Sequence, residues 1–133
     1  QYRTMLDQLI ASGDMPPTVG VFIWPGDVHA PERSTGVRRN RSYEYDGVSD
    51  NYVRFLTEEI LPYVAKTFNL KLSTSGNDRC IAGASSGGIA AFNAAWLRPD
   101  EFSRVYACSG SFTAFRAGNE FPTLVRKWKK FII

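Results

Sequence analysis

The sequence predicts an α/β domain, a mostly parallel sheet with helices on both faces. Three observations predict it. Helical and strand-like stretches alternate along the chain, the order expected of parallel strands joined by crossover helices. Thr18–Trp24 (TVGVFIW) is β-branched, aromatic and almost continuously apolar, as a strand buried on both faces must be. A short strand pattern, Arg79–Ala82, runs through a glycine-rich turn into a small-residue helix starting at Ser86.

Taken in order, Tyr2–Ser12 reads as a helix because Met5, Leu6, Leu9 and Ile10 form one apolar stripe, and Gly13 is its stop. Met15-Pro16-Pro17 connects it to the Thr18–Trp24 strand. Pro25–Ser49 is a long polar loop carrying Arg33, Arg38, Arg39 and Arg41. Loops beyond ~15 residues in a compact domain are usually functional or disordered. Asp50–Phe68 is a helix with Tyr52, Phe55, Leu56, Ile60, Val64 and Phe68 on one face. Asp50 is its expected cap, and Pro62 predicts a kink or a split. Ser86–Leu97 (SGGIAAFNAAWL) is ended by Arg98-Pro99, and Arg104–Cys108 is the next strand. Ser109–Pro122 is loop, Thr123–Lys130 a short basic helix or turn, and Phe131–Ile133 the start of a further strand.

Composition excludes several classes. With 133 residues the chain holds one domain, able to bury roughly two thirds of its unfolded surface. Hydrophobic residues at 44% and charged residues at 22% exclude a disordered chain. A net charge of +3 is too mild to argue for a nucleic-acid partner. No apolar run nears the ~20 residues of a bilayer span. Cys80 and Cys108 are too few for a metal site or a disulfide framework. They fall on neighbouring strands and read as buried thiols, with a bridge as the lesser alternative. Compartment and oligomeric state stay open.

The chemistry is concentrated in Gly83-Ala84-Ser85-Ser86-Gly87-Gly88, whose first five residues fit G-x-S-x-G with Ser85 at the centre. A serine on a sharp strand-to-helix turn sits in a strained backbone, and bulk two residues to either side would clash. Gly83 and Gly87 remove that bulk. Ser85 then stands above the carboxyl edge of the sheet, where ligands bind in open α/β folds. The Ser86 backbone N–H, at the helix N-terminus, faces a developing oxyanion. The pattern alone would turn up by chance in about one chain in twenty of this length; the strand before it and the helix after it give it weight. A tightly packed glycine turn without chemistry is the alternative. A P-loop is disfavoured because no Lys follows the glycines.

Four stretches together resemble the putative-esterase family, which includes the enterochelin (siderophore) esterases and the esterase D type. They are Asn40-Arg41-Ser42-Tyr43-Glu44-Tyr45-Asp46, FLTEEILPYV (Phe55–Val64), Arg79–Val105, and SGSF (Ser109–Phe112). The resemblance covers about Thr18 to Lys130. Its most specific part is the serine turn with Pro99-Asp100-Glu101-Phe102 ending the following helix. It implies an α/β-hydrolase fold and serine esterase chemistry with Ser85 as nucleophile, acting on a small-molecule ester without metal or organic cofactor. Relatives of the same broad family also transfer acyl groups, mycolyltransferases among them.

A serine nucleophile needs a base and an acid that orients it. In this fold the order along the chain is Ser, acid, His. The single histidine, His29, precedes Ser85, and chain order argues against it as base. Asp100 and Glu101 fall at the opposite sheet edge. Glu120 follows the Arg104–Cys108 strand and is a weak candidate acid. By the resemblance, the acid follows the strand that begins near Phe131, and the first oxyanion donor comes from a loop after a strand before Tyr2. The expectation is therefore that residues 1–133 are the central part of a single longer domain, truncated at both ends.

The remaining candidates line the same edge. Trp24 ends the first strand and is either a pocket wall or a core tryptophan. Arg41, with the loop arginines, either attracts an anionic substrate or is solvated. Glu44 pairs with Arg41 or touches substrate, pairing being favoured. Ser111 and Phe112 follow the strand beside the nucleophile and are expected to line the cleft. Arg126-Lys127-Trp128-Lys129-Lys130 is most simply a solvated turn. The leading expectation is a serine ester hydrolase working through an acyl-enzyme on Ser85. A non-catalytic binding module of the same fold and an acyltransferase are the alternatives.

Overall fold

Gly13 shows why the first helix stops where it does. In the computed structural model, which describes residues 2–29, 37–110 and 112, α1 spans Tyr2–Ala11. Gly13 follows at φ +81°, with its N–H donated to the Ile10 carbonyl at 3.2 Å. Only a residue without a Cβ takes that backbone conformation at no steric cost.

The next segment departs from expectation. Thr18–Trp24 forms no strand, and Val19, Val21, Phe22 and Trp24 are exposed instead of buried on both faces. Only Ile23 packs at the margin of the core. An apolar run specifies a preference for burial; a ladder also needs a neighbouring strand, and none of the described strands pairs with this segment. The segment lies against α1, where a Cβ built on Gly20 would stand 3.0 Å from Leu6 Cδ1.

The stretch expected to be a long polar loop contains regular structure. β1 (Asp27–His29) pairs antiparallel with β2 (Val37–Arg39), Asp27 opposite Arg39 and His29 opposite Val37. Asn40 N–H extends the ribbon to the Gly26 carbonyl at 2.9 Å. A five-residue helix, α2 (Arg41–Tyr45), follows at once. A long excursion over a protein surface still has to satisfy its backbone donors, and this ribbon and helix do so.

The long helix forms as α3 (Asn51–Arg54), a π-helical turn (Phe55–Ile60) and α4 (Leu61–Thr67) without a break in the chain path. Pro62 has no N–H to continue the α-helical ladder. The turn before it is wound more widely, and Leu61 N–H reaches back five residues to the Leu56 carbonyl. Asp50 stands at the cap position but makes no side-chain cap bond; its carbonyl accepts Arg54 N–H at 2.9 Å. The capping expected of its carboxylate is therefore absent, and the backbone begins the helix alone.

β3 (Cys80–Ala84), α5 (Ser86–Leu97) and β4 (Arg104–Cys108) make one β-α-β unit. The strands are parallel, Cys80 opposite Arg104 through Ala84 opposite Cys108. Ile81 points into a core formed with Val53, Leu56, Ala91, Ala94 and Phe102. Cys80, Ala82 and Ala84 on the other side of β3, and every residue of β4, are exposed. Among the described residues, helices cover one face of this two-stranded sheet. At the edge where both strands begin, Arg79 and Arg98 pair with Glu101, and Arg98 also holds Asp100.

Cys80 and Cys108 are free and exposed, not buried, and the register puts them at opposite ends of the ladder. Four residues of strand separate them, about 13 Å at 3.3 Å per residue, too far for a bridge. Among the described residues no helix is long and apolar enough to cross a membrane. Arg33, Ser111, Glu120, the basic turn at Thr123–Lys130 and the strand start at Phe131–Ile133 lie outside the described residues, as do the side chains of His29, Arg38 and Arg39.

Candidate active site

Ser85 is the single residue that joins β3 to α5. Its backbone takes φ +57°, ψ −124°, a region that L-residues occupy only under constraint. Three contacts impose it. Ser85 N–H donates to the Cys108 carbonyl at 3.1 Å, carrying the strand pairing one residue past Ala84. The Ser85 carbonyl accepts the N–H groups of Gly88 and Ile89, which starts the helix. Gly83 meets the Gly87 carbonyl so closely that a Cβ on Gly83 would lie 2.1 Å from that oxygen. Glycine is thus obligatory at position 83. At Gly87 a Cβ would meet nothing within 4 Å, so this glycine contributes its backbone, not a missing side chain. The expectation that both glycines remove bulk holds for the first alone.

α5 is built to come close to the sheet. Gly88, Ile89, Ala90, Ala91 and Ala94 are buried, and a Cβ on Gly88 would be 3.0 Å from Gly110 Cα. The helix dipole and the first helical N–H groups therefore point at the turn holding Ser85. Ser86 N–H is the first of these and has no protein partner among the described residues.

Arg41 opens α2 and crosses to this turn. Its Nη1 donates to Ser86 Oγ at 2.8 Å, and its Nη2 reaches the Ala84 carbonyl at 3.5 Å. Glu44 does not pair with Arg41. Its carboxylate accepts Gly26 N–H, at 3.1 Å to Oε1 and 3.3 Å to Oε2. That bond ties α2 to the corner after Trp24 and Pro25. Trp24 itself is 85% exposed, which excludes the core reading. Phe112 is half-buried and packs edge-on to Phe92 of α5, centroids 5.5 Å apart, while Phe92 stacks on Trp96. The structure therefore brings Arg41, Ala84 and Ser86 together around Ser85, joins Glu44 to Gly26, and packs Phe112 against α5.

Asn93 escaped the sequence reading. It is 2% exposed, and its Nδ2 donates to the carbonyls of Gly47 (3.0 Å) and Ser49 (2.8 Å), just beyond α2. The signal was present: after Ser86, Asn93 is the one hydrogen-bonding side chain in an otherwise small and apolar helical run up to Ala95. Asp46 is equally buried, and among the described residues Asp46 Oδ1 and Asn93 Oδ1 have no partner. Tyr45 and Tyr52 complete the support under α2. Their rings meet edge-on at 5.2 Å, and burial raises both phenols above their ordinary pKa, Tyr52 the more strongly. An open groove of about 320 Å³ between α1 and Thr18–Phe22 contains none of these residues. Among the described residues no cluster of His, Cys, Asp and Glu is placed to hold a metal ion.

The model of the putative esterase family matches residues 1–121, nine tenths of the chain. The chain belongs to the putative esterase family. This places it among esterase-type hydrolases. No curated protein and no solved structure matches this chain. The family match spans α1, α2, the β3–α5–β4 unit and the serine turn alike.

Proposed function

We propose that this protein is a carboxylic ester hydrolase of α/β-hydrolase fold, acting on small-molecule esters through an acyl-enzyme on Ser85. The observation that carries the reading is the backbone of Ser85, held at φ +57°, ψ −124° on a strand-to-helix turn, beside a Ser86 N–H that has no partner among the described residues. That combination supports a serine and a backbone N–H acting on the same carbonyl group.

In this reading Ser85 Oγ attacks the ester carbonyl carbon while its proton passes to a general base. The carbonyl oxygen gains negative charge and is held by Ser86 N–H and the α5 N-terminus. The C–O bond to the alcohol then breaks, the alcohol leaves with a proton, and the acyl group remains on Ser85. Water attacks the acyl carbon, releasing the carboxylic acid and restoring the hydroxyl. Trp24, Ser111 and Phe112 are candidates for the walls of the acyl and alcohol sites. Siderophore lactones and esters of carbohydrates are the substrate types that the family resemblance brings forward.

The test is covalent. Treated with a fluorophosphonate, the intact protein is expected to gain one adduct, on the peptide containing Ser85. Ser85→Ala is expected to lose both the adduct and hydrolysis of p-nitrophenyl acetate. An adduct on another residue, or an active Ser85→Ala variant, overturns the proposal.

A further inference from the structure

Ala84 and Ser86 are the immediate neighbours of the strained residue, and one guanidinium reaches both. Arg41 Nη1 donates to Ser86 Oγ at 2.8 Å and Nη2 to the Ala84 carbonyl at 3.5 Å. The planar fork of arginine addresses two acceptors at once, which an ammonium does less well. A bracket of this kind resists rotation of the peptide planes on either side of Ser85.

The bracket has a firm base. A five-residue helix has no stability of its own, yet α2 is fixed at several points. Glu44 holds Gly26 N–H, and the buried Tyr45 donates its hydroxyl to the Ile23 carbonyl at 3.4 Å. Just past the helix, the Asn93 amide holds the Gly47 and Ser49 carbonyls. α2 is thereby lashed to α5 twice, by Arg41 with Ser86 at its start and by Asn93 beyond its end. The nucleophile and the origin of Arg41 move as one body.

We propose that Arg41 is a positioning residue of the serine turn. By gripping Ser86 Oγ and the Ala84 carbonyl, it keeps the Ser86 N–H aimed at the oxyanion, and it does not act as a docking charge for substrate. The inference rests on Ser85 being the nucleophile. Strained backbone persists only where its surroundings over-determine it, and a donor misaimed by one peptide rotation loses its hold on the transition state. The effect falls on the transition state and spares ground-state binding.

The experiment uses the intact protein and p-nitrophenyl acetate, a neutral ester with no anion for Arg41 to attract. Arg41→Ala is expected to lower kcat about tenfold with KM within about twofold of wild type. Ser86→Ala keeps the backbone N–H but removes the grip, and should lower kcat in the same way. The double variant is expected to be no slower than Arg41→Ala, because Ser86→Ala removes only a contact that Arg41→Ala has already removed. Arg41→Lys should recover only part of the rate. A raised KM at unchanged kcat, an inert Ser86→Ala beside an impaired Arg41→Ala, or additive losses would each overturn the proposal. Amide hydrogen exchange supplies a readout independent of catalysis. Arg41→Ala should speed exchange at the hydrogen-bonded amides of Ser85 and Gly88 at least tenfold and leave Ala90–Ala94 unchanged; unchanged exchange at Ser85 and Gly88 overturns the proposal. If Ser85→Ala stays active, the nucleophile reading fails, and exchange alone decides the role of Arg41.

Discussion

Gly83 and Gly87 approach so closely that a Cβ on the first would lie 2.1 Å from the carbonyl oxygen of the second. The two positions therefore respond oppositely to alanine. Gly83→Ala has to push strand from helix and is expected to cost at least ~3 kcal/mol, the upper range for overpacking. Ser85 labelling by a fluorophosphonate should slow at least tenfold. Gly87→Ala meets open space inside the first turn of α5. It should leave stability unchanged or raise it by up to ~1 kcal/mol through helix propensity. Urea unfolding of both variants checks the pair.

Ser85 itself carries strain that glycine would release. A non-glycine residue at φ +57°, ψ −124° costs on the order of 1–3 kcal/mol. Glycine returns part of that through unfolded-state entropy. Ser85→Gly is expected to be about 1 kcal/mol more stable than Ser85→Ala, with neither variant labelled. Equal stability of the two would show that the turn is relaxed.

Asn93 holds two carbonyls inside the protein. Asn93→Ala leaves them unpaired and should destabilise by ~2–3 kcal/mol, the range for orphaned buried groups. Because Asn93 also anchors the segment after α2, the variant should accelerate amide exchange in 41–49 before any other described segment. Urea unfolding and exchange mass spectrometry read the two effects.

Tyr45 and Tyr52 make the fold sensitive to alkali. Burial disfavours their phenolate forms, so both titrate above the ordinary value of 10.0 in the folded protein. Below about pH 10 both folded and unfolded states keep the protons, and the contribution is fully present. Above it the unfolded chain ionises first, and stability falls until the folded phenols also ionise. The urea midpoint is expected to fall as the pH rises above about 10, and Tyr52→Phe should flatten the fall.

Local patterns made the serine turn legible. Gly83, Ser85 and Gly87 lie within five residues, and the helix after them has an unbroken small-residue face. α1 was equally plain from its stripe and Gly13. What failed was long-range. Thr18–Trp24 has strand composition, but composition names no partner, and the described segment pairs with none. The grip of Arg41 on Ser86 spans 45 positions and follows from no periodicity. Pro62 announced a disturbance in its helix, and sterics alone left open whether the chain would kink, split or widen into a π turn.

The exposed thiols give the molecule its own reporters. Cys108 ends β4 opposite Ala84, one residue before Ser85, and Cys80 starts β3 beside the ion-paired edge. A thiol-reactive dye placed on one and not the other, by replacing Cys80 or Cys108 with serine, would report separately on events at each rim. Quenching at Cys108 alone during fluorophosphonate treatment would locate the change at the Ser85 rim, and the same dye at Cys80 would be the internal reference.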